Sequence, residues 1–316
     1  MKNKALAIVI PAYKQTFLRE TLVSIANQTC KDFTLYIGDD CSPYQIKSIV
    51  DEFMADIDIV YQRFDENVGG KDLVSHWERC IEMTHNEPYI WLFSDDDIME
   101  PMCVEEFLNL PKSVRDTFLV HFDVSVIDSI NGNTLAQQRP YPERLHVKDF
   151  IEEKLKIKGK KGLEVFVVEF IFSRKVYLQN EKFQHYDLAW GADFLTWVKF
   201  ATTGNGIYTV KRNNCHVKWR KSNENITPDE SRPILVRKMK SLVYNASYIN
   251  DWMNSNGYHS SFIYTKFVWG NIKGNSRRLS LHEILYLKKL YEKEVGYHFF
   301  SFLSFCAVLI KKSLYL

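Results

Sequence analysis

The sequence predicts an α/β fold with a mostly parallel central sheet, flanking helices and a helical C-terminal extension. Three observations lead to this class. Apolar segments typical of buried strands alternate with amphipathic helical segments between residues 5 and 93. The strand segments are hydrophobic on both faces, as in parallel sheets that helices cover on both sides. From about Pro233 onward, the pattern is mostly helical and rich in Tyr, Trp and Phe.

The first predicted elements follow one another in a regular order. The strand segments are 5–10, 33–38, 57–64 and 89–93, and the helical segments between them are 17–29, 44–55 and 71–84. In the first helical segment, Leu18, Leu22 and Ile25 recur on one face, which is the spacing of a helix with one buried side.

The alternation changes in the second part of the chain. Segments 118–128 and 163–174 have the apolar character of strands, and Asn131-Gly132 between them favours a hairpin turn. A helical pattern begins after Gly191 and continues to about residue 203. The central sheet is therefore expected to gain strands that do not belong to simple strand-helix-strand units.

Composition sets limits on function. The chain has 316 residues, 46% of them hydrophobic, and a formal net charge of +2, so there is no overall charge bias toward nucleic acid. The six cysteines are scattered and form no C-x-x-C pair, which argues against a zinc or redox motif. We therefore expect a reduced, cytoplasmic protein without a nucleic-acid partner.

Neither end of the chain is expected to cross a membrane. At the N-terminus only residues 5–10 are apolar before a proline, which fits a buried first strand better than a signal peptide. The C-terminal segment 297–316 is apolar and aromatic and then carries Lys311 and Lys312. It fits either a terminal helix packed on the protein or a peripheral anchor on an anionic membrane surface.

Polar residues follow three of the predicted strands at the point where each strand ends. They are Pro11-Ala12-Tyr13, Asp39-Asp40 and Asp95-Asp96-Asp97. Ligands of open α/β sheets bind outside the carboxyl ends of the strands. We therefore expect these three clusters to meet at one edge of the sheet.

Three adjacent aspartates after a buried strand have three interpretations. They can cap the following helix, form a solvated turn, or hold a divalent cation whose charge cancels their mutual repulsion. Mg²⁺ typically takes one or two carboxylates together with phosphate oxygens. The second acidic pair at a matching strand end favours the interpretation as a cation and diphosphate site.

Four segments carry motifs in a fixed order. They are IVIPAYKQTFLRETLVSIANQTCKDFTLYIGDDCS at 8–42, YIWLFSDDDIMEP at 89–101, WGADFLTW at 190–197 and NNCHVKWRKSNENIT at 213–227. This series resembles glycosyltransferase family 2, in which P-x-Y and D-D-x-S are followed by D-x-D-D, G-x-E-D and W-R-x-S-x-x-N-I-(S/T). Each motif alone is weak, but the four in order on a strand-helix background are specific.

The resemblance implies a GT-A fold, a nucleotide-diphosphate sugar donor, a divalent cation (Mn²⁺ or Mg²⁺) and inverting transfer. The acceptor would be a glycan or a lipid-linked sugar. By position in the motif, Pro11, Ala12 and Tyr13 correspond to residues that line the nucleotide pocket. Asp40 corresponds to the acid that accepts an N–H of the base.

The remaining aspartates carry the implied chemistry. Asp96 corresponds to the metal-binding aspartate of the family. Asp95 or Asp97 would lie beside the ribose or the donor sugar, and Asp97 is also a candidate metal ligand. Asp193 corresponds to the general base. It stands at the start of an apolar helical segment, where the helix N-terminus favours its ionised form.

Further donor and metal contacts are expected in two basic segments. Lys71, after Gly69-Gly70, falls where the family often has a glycine-containing basic loop, and it is a candidate donor contact. Arg220 suits the diphosphate because a guanidinium matches the geometry of phosphate. His216 is a candidate third metal contact.

Two positions depart from the family pattern. Ser94 stands where the first carboxylate of D-x-D is frequent, so fewer carboxylates are available to a metal. Ala192 stands where Glu is frequent, which leaves Asp193 as the only carboxylate of the base motif.

We therefore expect a nucleotide-sugar-binding half at 1–128, an acceptor-side half with base and lid at 129–232, and a helical extension at 233–316. The expected function is metal-dependent hexosyl transfer in surface polysaccharide or glycan assembly. One alternative is a non-catalytic sugar- or nucleotide-binding protein of the same fold. A second is a nucleotidyltransferase, although PAYKQTF stands where a glycine-rich basic loop would be expected.

Overall fold

A computed structural model of the chain describes residues 4–156, 160, 162–225, 231–257, 261–297 and 299–314. Its strands are β1 (Leu6–Ala12), β2 (Phe33–Asp39), β3 (Ile59–Arg63), β4 (Tyr89–Leu92), β5 (Ile98–Met99), β6 (Leu119–Phe122), β7 (Val124–Asp128), β8 (Thr134–Gln137), β9 (Arg144–Leu145), β10 (Phe170–Ser173), β11 (Ile207–Val210) and β12 (Val217–Lys221). Its α-helices are α1 (Leu18–Ala26), α2 (Ile46–Asp51), α3 (Leu73–Glu82), α4 (Cys103–Asn109), α5 (Lys112–Thr117), α6 (Val147–Lys154), α7 (Arg174–Gln179), α8 (Ala192–Thr203), α9 (Arg232–Ser255), α10 (Ser261–Gly274), α11 (Leu281–Glu294) and α12 (Phe299–Ser313).

The central sheet is mostly parallel, as the sequence predicts. Within the described residues it has eight strands in the order β3-β2-β1-β4-β10-β6-β11-β9. β1 pairs in parallel with β2 and β4, β2 with β3, and β6 with β11. β10 is inserted antiparallel between β4 and β6. The predicted α/β fold class is confirmed.

Segment 118–128, which the sequence predicts as one strand, forms two strands in different sheets. β6 belongs to the central sheet, and β7 belongs to a smaller sheet of order β5-β12-β7-β8. The break lies at Asp123, whose carboxylate accepts hydrogen bonds from the Tyr141 N–H at 3.0 Å and the Lys211 ammonium at 2.5 Å. β7 then pairs antiparallel with β8 around Asn131-Gly132, so the expected hairpin is present.

Segment 163–174 is a strand only at its end. Val167–Glu169 forms a 3₁₀ turn, and β10 occupies the next four residues. Ser173 ends the strand because its hydroxyl accepts the Val176 N–H at 3.2 Å and so caps α7. The apolar pattern predicts burial correctly, but the local capping residue decides where the strand stops.

Trp91 in β4 lies at the centre of the core beneath the aspartate segment. Its ring stacks on Phe122 with centroids 4.9 Å apart, and its indole N–H donates to the Val168 carbonyl at 2.7 Å. Both faces of β4 are buried. This packing fixes the end of β4 and therefore the position at which the three aspartates begin.

The chain divides into two compact units. The first comprises Met1–Lys154, Lys161–His185 and Ala192–Asn223, and the second comprises Leu155–Lys160, Tyr186–Gly191 and Glu224–Leu316. The first unit contains both sheets, and the second contains α9 to α12, so the expected helical extension is confirmed. No helix among the described residues is long and apolar enough to span a membrane. The expected functional boundaries at 128 and 232 stay predictions.

Candidate active site

The carboxyl ends of β1, β2 and β4 lie side by side because these strands are parallel neighbours. Asp95, just after β4, accepts hydrogen bonds from the backbone N–H groups of Tyr13 at 2.9 Å and Lys14 at 2.8 Å, just after β1. The Asp40 N–H, just after β2, donates to the Ala12 carbonyl at 2.9 Å. The three polar clusters are therefore in direct contact at one edge of the sheet.

Lys14 provides the counter-charge of the aspartates, although the sequence reasoning assigned it no role. Its ammonium lies 2.5 Å from Asp96 Oδ2 and 3.6 Å from Asp95 Oδ1. Burial alone would lower the pKa of Lys14, but the carboxylates of Asp95 and Asp96 outweigh it and raise the pKa. Burial raises the pKa of Asp95 even though Lys14 opposes this shift. The one sequence feature that pointed to Lys14 is its place directly after the P-A-Y motif.

Asp97 faces the protein. One carboxylate oxygen accepts the Ser94 hydroxyl at 2.6 Å, and the other accepts the Arg220 backbone N–H at 2.7 Å. Burial, reinforced by the charge of Asp96, raises the pKa of Asp97 well above its ordinary value. Since both oxygens of Asp97 bind other parts of the chain, Asp96 is the better-placed of the two candidate metal ligands. The hydroxyl of Ser94 orients Asp97.

The Arg220 guanidinium is buried beneath the aspartate segment. It donates from Nε to the Asp96 carbonyl at 2.9 Å and from Nη2 to Glu20 at 2.6 Å, and it lies 4.3 Å from the centre of the Phe17 ring. These contacts connect β12 to the segment after β4 and to α1. Arg220 therefore supports the aspartate segment, and its predicted contact with the donor stays a prediction.

Asp40 fixes the glycine-containing loop that precedes α3. Its two carboxylate oxygens accept the N–H groups of Val68 and Gly69, each at 2.8 Å, and it forms an ion pair with Arg79. A Cβ at Gly69 would lie 2.6 Å from Asp40 Oδ2, so this close approach requires glycine. Burial followed by the charge of Arg79 lowers the pKa of the neighbouring His76 to about 3, so His76 is neutral.

The other predicted binding residues are distributed around this edge. Of the nucleotide-pocket residues, Ala12 is buried, Pro11 is partly buried and Tyr13 is 38% exposed. The Lys71 side chain is exposed, and its N–H donates to the Val68 carbonyl at 2.9 Å. Tyr13 and Lys71 lie on the two loops that Asp95 and Asp40 hold in place.

Asp193 lies in the first turn of α8 and is partly buried. One of its oxygens accepts the Phe194 N–H at 2.7 Å. Burial raises the pKa of Asp193, and the charge of Lys154 and the backbone N–H groups oppose this shift only in part. The expected effect of the helix N-terminus is therefore present but smaller than that of burial. A raised pKa makes Asp193 a stronger base than an ordinary aspartate.

Glu169 and His121 form a buried pair of ionisable side chains that the sequence does not predict. Glu169 Oε2 lies 3.8 Å from His121 Nε2, a nitrogen without a hydrogen-bond partner among the described residues. Burial raises the pKa of Glu169 well above its ordinary value, and the charge of Asp193 contributes to this shift. Burial lowers the pKa of His121, so both members favour the neutral form. Glu169 is an isolated acid in an apolar segment, so the sequence pattern does not indicate that it pairs with His121.

The aspartates fit a cation site that a donor completes. The described part of the chain has no group of three or more His, Cys, Asp or Glu side chains arranged to hold a metal ion. Mg²⁺, however, is usually held by one or two carboxylates together with substrate phosphates and water. Asp95 and Asp96 fit this smaller set, because an oxygen of each already converges on one cation, the Lys14 ammonium. His216 lies instead beside Glu100, with Nδ1 3.7 Å from Oε2.

Comparison with known proteins identifies the family. The family model described as glycosyl transferase family 2 matches residues 7–177. This range contains β2, β4, β1 except its first residue, and all three polar clusters of the shared edge, together with Glu169. The last two motifs, at 190–197 with Asp193 and at 213–227, lie outside this range, and residues 226 and 227 lie outside the described residues.

Individual relatives are distant. An uncharacterised glycosyltransferase of Methanocaldococcus jannaschii is 27% identical over 144 residues, which are 44% of this chain and 48% of that protein. The chain thus spans about half the length of this curated relative. The crystal structure of S. aureus TarS 1–349 in complex with UDP-GlcNAc has a TM-score of 0.57 at 12% identity, over 98% of this chain and 91% of that one. A second S. aureus TarS structure gives 0.53 at 11% identity, over 97% and 54% of the two chains. These likenesses show a shared fold.

Proposed function

The chain belongs to glycosyl transferase family 2, and we propose from this premise that it is an inverting hexosyltransferase. It moves a sugar from a nucleotide-diphosphate sugar to an acceptor hydroxyl. The observation that carries the proposal is the contact of Asp95 with the backbone of Tyr13 and Lys14, which joins the loop after β1 to the aspartates after β4. Ligands of open α/β sheets bind at this edge.

The nucleotide is placed against Pro11, Ala12 and Tyr13. The exposed ring of Tyr13 can contact the base or the ribose, and the TarS fragment, of similar fold, holds UDP-GlcNAc in its crystal structure. Asp40 supports this side of the site through the loop that carries Lys71. A direct contact of Asp40 with a base N–H, as the family resemblance implies, would replace one of its present hydrogen bonds.

Transfer requires a base at the acceptor and charge stabilisation at the leaving group. Asp193 takes the proton of the acceptor hydroxyl as the new bond forms, a role worth roughly 10²- to 10⁴-fold in rate. A single in-line displacement inverts the anomeric carbon and needs only this one base. The raised pKa of Asp193 favours proton transfer, because the base is then closer in strength to its task.

The proposal keeps a divalent cation, Mn²⁺ or Mg²⁺, at Asp96 with Asp95 beside it. When bound, the cation would supply Lewis-acid stabilisation of the charge that develops on the diphosphate. The protein's own part is to hold Asp96 in place, which Arg220 does by donating to the Asp96 carbonyl at 2.9 Å. His216 and Asp97 stay predicted ligands of lower rank. The His216 imidazole lies 3.7 Å from Glu100, and the two Asp97 oxygens accept hydrogen bonds from Ser94 and from the Arg220 backbone.

The proposal includes peripheral contact with an anionic membrane through α12. One face of this helix packs inward through Ser301, Phe305 and Val308. The opposite face carries apolar side chains where a solvent-facing helix would be polar. They are Phe299, Leu303 and Ile310, exposed by 64%, 47% and 67%, and Leu314, directly after the helix, is exposed by 77%.

The positive charge beside this face favours an anionic lipid surface as its partner. Lys311 and Lys312 lie in the last turn of α12, and the printed sequence contains no Asp or Glu after Glu294. Apolar residues beside lysines suit the boundary of an anionic leaflet. A lipid-linked or growing surface glycan as acceptor is consistent with such a position. The setting proposed is the cytoplasm, where the six free cysteines stay reduced.

A donor-hydrolysis screen tests the proposed function without knowledge of the acceptor. The protein is incubated with common UDP-, GDP-, dTDP- and CDP-sugars in Mn²⁺, and nucleoside diphosphate release is measured. NMR of the freed sugar reports its anomeric configuration, and we expect inversion for the accepted donor. Tight binding of a nucleotide sugar without release or transfer would instead favour a non-catalytic binding protein.

A further inference from the structure

Lys14 holds the place that a bound cation needs. Its ammonium contacts Asp96 Oδ2 at 2.5 Å and lies 3.6 Å from Asp95 Oδ1, while its backbone N–H donates to Asp95 Oδ2 at 2.8 Å. The lysine side chain is 26% exposed, whereas those of Asp95 and Asp96 are 6% and 9% exposed. The two carboxylates are therefore almost wholly buried, and the ammonium that contacts them is the more exposed partner.

An ammonium and a divalent cation compete for these oxygens. Hard cations bind carboxylate oxygen at about 2.0–2.6 Å. A metal at that distance from Asp96 Oδ2 would lie no more than about 5 Å from the Lys14 nitrogen, and the repulsion of like charges is strong at this range in a buried site. Occupation of Asp96 by one cation therefore weakens binding of the other.

The Lys14 ammonium can move away from Asp96, since it is carried on a flexible four-carbon side chain. The neighbouring guanidinium groups are fixed: Arg220 is paired with Glu20, and Arg79 with Asp40. An incoming diphosphate offers new oxygen acceptors to the three N–H donors of the ammonium. It also offers oxygen ligands to the metal, so one ligand serves both cations once they separate.

We propose that Lys14 is the resident counter-ion of Asp96, and that a divalent cation reaches this carboxylate only when the ammonium moves to the donor diphosphate. The proposal rests on the proposed donor site and adds that the binding of metal and nucleotide there is coupled. Metal and nucleotide bind together, each weakly without the other. Because such coupling is reciprocal, the metal raises nucleotide affinity by the factor by which the nucleotide raises metal affinity.

Calorimetric titration with MnCl₂ alone tests the proposal. Lys14→Met removes the ammonium, and we expect Mn²⁺ to bind this variant at least tenfold more tightly than the wild type in the absence of nucleotide. Adding Asp96→Asn to Lys14→Met should abolish the gain. Lys47→Met is the matched control, because it removes an ammonium that lies 2.6 Å from Asp51 on the surface, and it should bind Mn²⁺ like the wild type.

A second variant guards against misfolding of the first. Lys14→Gln keeps a hydrogen-bond donor for Asp96 but no charge, and it should show the same gain in Mn²⁺ affinity. The wild type supplies a test without any substitution, since its Mn²⁺ affinity should rise at least tenfold in a saturating amount of at least one of UDP, GDP, dTDP and CDP.

Three results would overturn the proposal. They are unchanged Mn²⁺ affinity in a folded Lys14 variant, a gain that survives Asp96→Asn, and a wild-type Mn²⁺ affinity that none of UDP, GDP, dTDP and CDP raises. Failure of the donor-hydrolysis screen would sink the proposed function alone, because the Lys14 variants are read by metal binding and not by turnover.

Discussion

The backbone N–H of Arg220 donates to Asp97 Oδ1 at 2.7 Å, across 123 residues of sequence. The Ser94 hydroxyl donates to the other oxygen at 2.6 Å, and the two bonds together direct the Asp97 carboxylate toward the protein interior. Asp96 is then the aspartate that faces the Lys14 ammonium. The two adjacent aspartates therefore have different predicted roles, which substitution can separate.

Asp96→Asn should weaken binding of UDP in Mn²⁺ at least tenfold with little change in melting temperature. Asp97→Asn should instead lower the free energy of unfolding by about 1–3 kcal/mol, since an amide nitrogen cannot accept from Ser94 or Arg220. Calorimetry and thermal unfolding of both variants measure the contrast. Equal UDP affinity of the wild type in Mn²⁺ and in EDTA would remove the metal from the account.

Gly69→Ala should destabilise the protein by about 1–3 kcal/mol, because its Cβ would lie 2.6 Å from Asp40 Oδ2 and would displace a buried, hydrogen-bonded carboxylate. The matched control is Gly270→Ala in α10, where a Cβ meets no atom within 4 Å. That change should stabilise by about 0.5–1 kcal/mol through helix propensity. Urea unfolding compares the two, and a neutral Gly69→Ala would show that the loop is not held by Asp40.

Glu169 predicts a dependence of stability on pH. Burial raises its pKa in the folded state, so the folded protein retains the proton more firmly than the unfolded chain. The resulting stabilisation is complete below the unfolded pKa of about 4.3 and is lost as pH rises through the raised folded pKa. His121, with a lowered pKa, acts in the opposite sense and disfavours the folded state as pH falls below about 6.5.

Glu169→Gln should flatten the loss of stability above pH 5. The wild type should lose up to about 1.4 kcal/mol per pH unit more than the variant between the unfolded pKa and the raised folded pKa of Glu169. Unfolding in urea at pH 5, 6, 7 and 8 supplies the comparison. Parallel curves for the two proteins would mean that Glu169 ionises as an ordinary carboxyl does.

The exposed face of α12 predicts binding to anionic lipid. Phe299→Ser with Ile310→Ser should reduce flotation with phosphatidylglycerol vesicles at least tenfold, because burial of each side chain contributes about 1.5–3 kcal/mol. Leu178→Ser, which removes a side chain 62% exposed in α7, should leave flotation unchanged. A wild-type protein that stays with the soluble fraction at every lipid concentration would exclude membrane contact by this helix.

The sequence predicts the parallel part of the sheet well because local patterns suffice there. Strands β1, β2 and β4 are apolar on both faces and are separated by helices of suitable length, so their shared edge follows from topology rules. The expectation that Asp40 and Asp95 lie near the P-A-Y segment follows from the same argument. These are consequences of short-range order in the chain.

The rest of the site depends on contacts between distant segments. The direction of Asp97 is set by Arg220, and the charge of the aspartates is balanced by Lys14, 82 residues away from Asp96. Hydrophobic periodicity is a local pattern, so it predicts neither the register nor the side-chain direction of segments that are so far apart in sequence. The division of segment 118–128 has the same origin, since Asp123 is held by Tyr141 and Lys211.

Asp193→Asn provides the most direct test of the central claim that this site transfers a sugar with Asp193 as base. The variant keeps the size and the helix-start position of the side chain but cannot accept the acceptor's proton. Sugar transfer, or donor hydrolysis with water as acceptor, is measured together with UDP affinity and melting temperature. The account predicts a rate at least roughly 10²-fold lower, with UDP affinity and melting temperature unchanged. A variant that folds, binds UDP and turns over donor at the wild-type rate would contradict it.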